Sequence, residues 1–157
     1  MKSLFDLLTP GLRTDLGEHT FTRDEIVRFA SRYDPQRFHM DDEAAKASIF
    51  GGLCASGWHT VSIWMRLNVM CGRQALVEAT GYDGPPVVFG PSPGVRDLSW
   101  LRPVYAGETI RYSSTVEGKR RSASRPGWGI VMNTGRGELP DGTPVMTMRR
   151  SVLMPTD

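Results

Sequence analysis

"WHTVSIWMRLNVMCGRQALVE", residues 58 to 78, carries apolar side chains at Val61, Trp64, Met65, Leu67 and Val69 and few charges. That spacing predicts a central helix buried over much of its surface, starting near Gly57. Downstream, "ATGYDGPPVVFGPSPG" (79–94) is crowded with Gly and Pro and reads as a long loop holding a very short strand at Val87 to Phe89. Four segments then alternate β-branched or aromatic residues between turn signals: "VRDLSWLRPV", "ETIRYSSTVEGK", "GWGIVMNTGRGEL" and "TPVMTMRRSVLM". One long helix followed by antiparallel strands describes an α+β domain in which a sheet wraps around a helix. Such a sheet has open edges, so a homodimer or a higher homo-oligomer is the expected assembly.

Upstream of the helix, "EHTFTRDEIVRFASRYDP" passes from a β-prone stretch to helical spacing at Ile26, Val27, Phe29 and Ala30. Thr22 followed by Glu25 fits a capping box, so a helix starts at Thr22, and Pro35 ends it at Asp34. "DDEAAKAS" reads as a second short helix opened by acids.

The chain has 157 residues, 39% of them hydrophobic, which suits a single domain over residues 1–157. A formal charge of +2, from 19 basic and 17 acidic residues, argues against a broad polyanion-binding surface, so no nucleic-acid partner is expected. Two cysteines, Cys54 and Cys71, form neither a disulfide framework nor a C-x-x-C zinc pattern, and suggest a reducing compartment. The N-terminal apolar patch is broken by Asp6 and Pro10, and no apolar run is long enough to cross a membrane. A soluble cytoplasmic protein with no membrane partner is therefore expected.

"YDPQRFHMDDEAAKASIFGGLCASGW", residues 33 to 58, supplies the chemistry. At a helix C-terminus the dipole disfavours a carboxylate, which would make Asp34 a stronger base. His39, a histidine, either gives or takes a proton. Gly57 would present a backbone N–H at the start of the long helix, where a developing oxyanion is stabilised and a substrate carbonyl can approach.

These residues resemble a known family. Asp34, Pro35, Gln36, Arg37, Phe38 and His39, with Ala45 and the small-residue segment "GGLCASG" following, look like the hydratase motif of the MaoC-like acyl dehydratases, and "GVRDLSWLRPVYAGETI" is similar to the segment after their central helix. The resemblance runs from about Phe21 to Met154. It implies a hotdog fold and a dimer whose acyl-CoA substrate runs near the subunit interface. It further implies reversible hydration of a trans-2-enoyl-CoA to a (R)-3-hydroxyacyl-CoA, with Asp34 and His39 as acid–base pair and the Gly57 amide as oxyanion donor. Coenzyme A enters only as part of the substrate, and no metal or redox cofactor is involved. The sequence departs from the family pattern at Tyr33, Gln36 and Arg37, where Gly, Asn and Pro are usual. Gln36 preserves an amide, and Arg37 places a cation that hints at an acidic acyl tail.

Further candidates surround this motif. Ser56 would donate near the helix start, Trp58 would border an acyl pocket, and Arg121 and Arg125 in "EGKRRSASRPGWG" would meet coenzyme A phosphates unless they only solvate a hairpin end. Cys54 as a nucleophile is disfavoured against a buried, inert thiol, and His19 and His59 read as structural. Two other readings compete: a hotdog thioesterase that aims water at the thioester carbonyl, and a non-catalytic acyl-CoA-binding subunit.

Overall fold

Thr22 stands at the N-cap of helix α2 (Arg23–Tyr33), where its hydroxyl accepts from the Glu25 N–H at 3.3 Å. The computed structural model describes residues 2–157; the domain expected over residues 1–157 includes Met1, which lies outside the described residues. Before α2 come a one-turn helix α1 (Leu4–Leu7) and strand β1 (Arg13–Thr20). After it come a 3-10 turn (Arg37–His39) and α3 (Asp42–Lys46), capped by the Asp41 carboxylate on the Ala44 N–H at 2.7 Å.

The central helix is one continuous rod in three parts: α4 (Gly57–Leu67), a π turn (Asn68–Gly72) and α5 (Arg73–Thr80), ended by Gly81 in the left-handed conformation with φ 67°. Four strands follow: β2 (Gly94–Trp100), β3 (Thr109–Arg121), β4 (Trp128–Glu138) and β5 (Pro144–Pro155). They form a five-stranded antiparallel sheet in the order β1-β3-β4-β5-β2. Each of the four downstream segments becomes a strand where the alternation places one. Val87 to Phe89 forms no strand; this segment is tied to β5 by single bonds, Gly90 N–H to Leu153 O at 2.7 Å and Leu153 N–H to Pro91 O at 3.1 Å. Two adjacent prolines, Pro85 and Pro86, leave it too few donors for a ladder.

Trp64 pins the helix to the sheet. Its indole is fully buried and donates to the Ser113 carbonyl at 2.9 Å, and it lies so close to Gly135 that a Cβ there would come within 2.7 Å of the ring. Tyr112 locks the same pair of layers through its hydroxyl, which donates to Thr60 O at 2.9 Å. Around them Phe21, Ile26, Ile110, Met146 and Met148 complete the main core. A second cluster, with Leu4, Phe5, Leu8, Val131, Val152 and Met154, seats α1 against the far end of the sheet.

The expectation of a helix buried on much of its surface is overturned. His59, Thr60, Trp64 and Gly72 are buried, whereas Trp58, Met65, Val69 and Met70 are exposed. The sheet covers one stripe of the rod only. No helix among the described residues is long and apolar enough to cross a membrane.

Candidate active site

Pro35 disfavours helical geometry at the residue before it, and Asp34 leaves the helical region as α2 ends, at φ −153° and ψ 69°. The chain then turns back through the 3-10 turn and delivers His39 beside the same carboxylate, with Nε2 3.3 Å from Asp34 Oδ2. His39 is buried, and Asp34 keeps a sixth of its side chain open. On its other edge His39 Nδ1 lies 2.6 Å from the Cys54 carbonyl oxygen. A carbonyl only accepts, so Nδ1 carries the proton and Nε2 is the nitrogen left facing Asp34.

Asp34 is held on both oxygens. Ser56 Oγ donates to Oδ2 and Gln36 Nε2 donates to Oδ1, each at 2.7 Å. Partial burial acts to raise the pKa of this carboxyl, but the hydrogen bonds from Ser56 and Gln36 and the neighbouring His39 outweigh it and hold the group below its ordinary value. This reverses the sequence expectation of a strengthened base. The carboxylate turns away from the negative end of α2 and toward Ser56, at the positive end of α4.

Ser56 is the N-cap residue of α4, yet its side chain makes no capping bond, because the hydroxyl is given to Asp34. Gly57, whose N–H is the first orphan donor of α4, lines the same cleft. An oxyanion placed there would meet unsatisfied donors and the positive end of the helix dipole.

The glycine at 57 has a second reason that the sequence does not reveal. A Cβ on Gly57 would fall 2.4 to 2.7 Å from ring atoms of Trp100, which lies across it. Trp58 meets the same indole edge to face, with centroids 5.1 Å apart. Together they border a cleft of about 460 Å³ whose lining includes Asp34, His39, Phe38, Phe50 and Leu101. The wall opposite is braced by Arg102, which grips Glu108 through two bonds at 2.7 and 2.8 Å, and by Tyr105, which donates to Phe50 O at 2.7 Å. Among the described residues, no three His, Cys, Asp or Glu side chains gather as metal ligands would.

A comparison with protein families finds the MaoC like domain over residues 9–133, well over half of the chain. The chain belongs to the MaoC-like domain family. Its fold is the hotdog fold of that family, with the sheet wrapped on a long central helix. The crystal structure of a MaoC-like dehydratase from Rhodospirillum rubrum is 34% identical, with a TM-score of 0.79, covering 96% of this chain and 94% of that one. A monoamine oxidase regulatory protein from Archaeoglobus is 28% identical, with a TM-score of 0.78 and coverage of 98% and 94%. An (R)-hydratase from A. caviae involved in PHA biosynthesis shares the fold at 20% identity and a TM-score of 0.64, over 92% and 96% of the two chains. The uncharacterized protein YdeM of Bacillus subtilis is 29% identical over 89 residues, 57% of this chain, and the match spans only about half (55%) of its length.

The MaoC-like site thus gathers Asp34, His39, Ser56, Gly57 and Trp58, all singled out from sequence. Three arginines singled out with them stand elsewhere. Arg37 is exposed on the 3-10 turn and does not line the cleft. Arg121 ends β3, a strand of 13 residues that runs away from the cleft for about 40 Å at about 3.3 Å per residue, and it donates to Thr156 at 3.0 Å and pairs with Asp6 at 3.7 Å. Arg125 sits exposed in the turn beyond it. Lys119 likewise is spent on the Phe5 and Asp6 carbonyls, so this basic run fastens α1.

Cys54 contributes its backbone, not its sulfur. Burial pushes the thiol up to about 11, so it stays protonated and un-nucleophilic. Trp100 and the Cys54 carbonyl were missed by the sequence reading. A carbonyl carries no side-chain signature, and Trp100 reaches Gly57 only through the pairing of β2 with β5.

Proposed function

We propose that this MaoC-like chain is a hydro-lyase that reversibly hydrates a trans-2-enoyl-CoA to a (R)-3-hydroxyacyl-CoA. The observation that carries this reading is the 3.3 Å approach of Asp34 Oδ2 to His39 Nε2 at the mouth of a cleft that also contains the uncapped start of α4. A water bound between the two side chains gives one proton to the pair as its oxygen bonds to C3 of the enoyl group. The electrons of the double bond move toward the thioester oxygen, which the Gly57 N–H and the helix dipole stabilise. The pair then returns a proton to C2 and ends as it began. Hydration changes no net oxidation state, so the reaction calls for no redox cofactor.

Trp58, Trp100 and Phe38 give the acyl chain an apolar surface beside the pair. The assembly we propose is a homodimer. It is supported by β2, an edge strand of the sheet whose neighbourhood exposes Val95, Trp100 and Leu101. A cytoplasmic setting is supported by two unpaired cysteines, one of them buried.

The test is product analysis after incubation with crotonyl-CoA. The reading predicts 3-hydroxybutyryl-CoA and no free thiol. Free coenzyme A without the hydroxyacyl product would make the chain a thioesterase, and ligand-induced stabilisation without either product would make it a binding subunit.

A further inference from the structure

The Cys54 carbonyl that accepts from His39 is itself aimed by a short β pairing. Cys54 stands opposite Tyr105 in an isolated antiparallel bridge, with Ala55 N–H bonded to Val104 O at 2.8 Å and Ala106 N–H to Leu53 O at 3.1 Å. In such a pairing successive residues turn their backbone groups to opposite sides. Leu53 O and Ala55 N–H face the 104–106 segment, so the Cys54 C=O faces away from it, and there it meets His39 Nδ1 at 2.6 Å. Cys54, Ala55 and Val104 are all buried.

Two hydrogen bonds are marginal support for a strand pairing by themselves. The turn that follows supplies the rest. Glu108 takes both branches of the Arg102 guanidinium, at 2.7 and 2.8 Å, and also accepts the Tyr105 N–H at 2.9 Å. Gly107, at φ 91°, lets the chain fold back sharply enough for Glu108 N–H to reach Tyr105 O at 3.1 Å. The bonds from Arg102, with the one from the Tyr105 N–H, hold the Glu108 carboxyl below its ordinary value against partial burial, so the clamp is charged at neutral pH.

Tyr105 extends the hold to the residues before Cys54. Its hydroxyl donates to Phe50 O at 2.7 Å, and a Cβ on Gly52 would lie 3.7 Å from its ring. The turn also grips the entry to α2, through Phe21 N–H on Glu108 O at 2.9 Å and Gly107 N–H on Phe21 O at 2.7 Å. One carboxylate thereby fixes the segment that leads into α4, and that segment makes two contacts with the acid–base pair. Cys54 O takes the proton of His39 Nδ1, and Ser56, two residues on, gives its hydroxyl to Asp34. A carbonyl turned away would leave Nδ1 without an acceptor and the ring without a fixed tautomer.

We propose that Glu108, clamped on Arg102 and the Tyr105 N–H, is a positioning residue of the active site: through the 104–106 backbone it aims the Cys54 carbonyl, and so fixes the tautomer in which His39 faces Asp34. Its effect on turnover rests on the hydratase reading. The tautomer itself is read without any substrate.

The test is nitrogen-15 NMR of the full chain, whose three histidines give few imidazole signals, with His39 assigned by its absence from His39→Gln. In wild type His39 should carry a proton on Nδ1. In Glu108→Ala that proton should exchange with water at least tenfold faster, while the Trp64 indole proton, bonded to Ser113 O, keeps its rate. Turnover of crotonyl-CoA by the same variant should fall at least tenfold in kcat with KM changed less than threefold. A wild-type ring without a proton on Nδ1, or no faster exchange at His39 in Glu108→Ala, overturns the proposal. Equal acceleration of the His39 and Trp64 protons means a looser fold and overturns it too. Should Glu108→Ala fail to fold, Arg102→Met, which leaves Glu108 its bond from Tyr105, should speed the same exchange at least threefold, and an unchanged rate again overturns the proposal. A wild type that shows the Nδ1 proton and hydrates nothing counts against the hydratase reading alone.

Discussion

Ser56 gives its hydroxyl to Asp34 Oδ2 at 2.7 Å and leaves its own helix uncapped. One residue thereby holds the carboxylate of the acid–base pair and exposes the amides that would receive the oxyanion. An N-cap bond is worth roughly 1 kcal/mol, so the fold gives up about that much at α4.

Ser56→Ala should therefore act on Asp34 more than on the fold. The carboxyl loses a donor that holds its pKa low, so the acidic limb of the pH profile of kcat/KM should move to higher pH, and turnover should fall by about 10- to 100-fold. A profile that keeps its acidic limb would show that Ser56 does not tune Asp34. In stability the sign follows from the same shift: a depressed carboxyl stabilises the native state above its unfolded pKa, and that contribution disappears as pH falls through the folded value.

Gly57→Ala should bring a methyl into the Trp100 ring, since the Cβ position lies 2.4 Å from it. We expect a destabilisation of about 1 to 3 kcal/mol, typical of overpacking. The half-exposed ring is free to be cut back, so most of that cost should vanish in the Gly57→Ala, Trp100→Ala double variant. Chemical denaturation of the four proteins in this cycle reads the coupling, and additive costs would remove Trp100 from the explanation.

The sequence carried the strands because alternation and turn residues are local properties, and it carried the end of α2 because Pro35 acts on the residue before it. Asp34, His39 and Gly57 were legible as a pattern in one 24-residue stretch. Their electrostatics were not: the sign of the Asp34 shift depends on where its side chain turns, toward a serine 22 positions away. Trp100 enters the cleft through the pairing of β2 with β5, which no local spacing reports. Two residues of the basic run, Lys119 and Arg121, are engaged by α1, a helix the sequence did not announce.

His59 should set the acid stability of the fold. It stacks flat on Phe29 with centroids 4.5 Å apart, its Nδ1 is buried without a partner, and burial pushes its pKa down to about 4 against the attraction of Glu25 at 3.6 Å. Below about 6.5 the unfolded chain binds a proton that the native chain does not, so stability is full above that pH and falls as pH drops toward 4, by up to roughly 3 kcal/mol. His59→Phe should flatten urea-denaturation stability across that window; an unchanged slope would place the titration elsewhere.

Cys54 and Cys71 should separate in labelling. At pH 8 an alkylating reagent should modify exposed Cys71 and leave buried Cys54 untouched in the native protein. Cys54→Ala should retain turnover within a few-fold, because the site uses the carbonyl of that residue; loss by orders of magnitude would restore the thiol as a participant.

The central claim is that Asp34 and His39 hydrate an enoyl thioester. Its most direct test is the fall in absorbance of the conjugated thioester when the protein meets crotonyl-CoA, followed side by side for wild type and Asp34→Asn. The account predicts a fall with wild type that slows by at least a thousandfold in the variant, whose amide keeps the shape and loses the charge. An Asp34→Asn protein that hydrates crotonyl-CoA at the wild-type rate would contradict it.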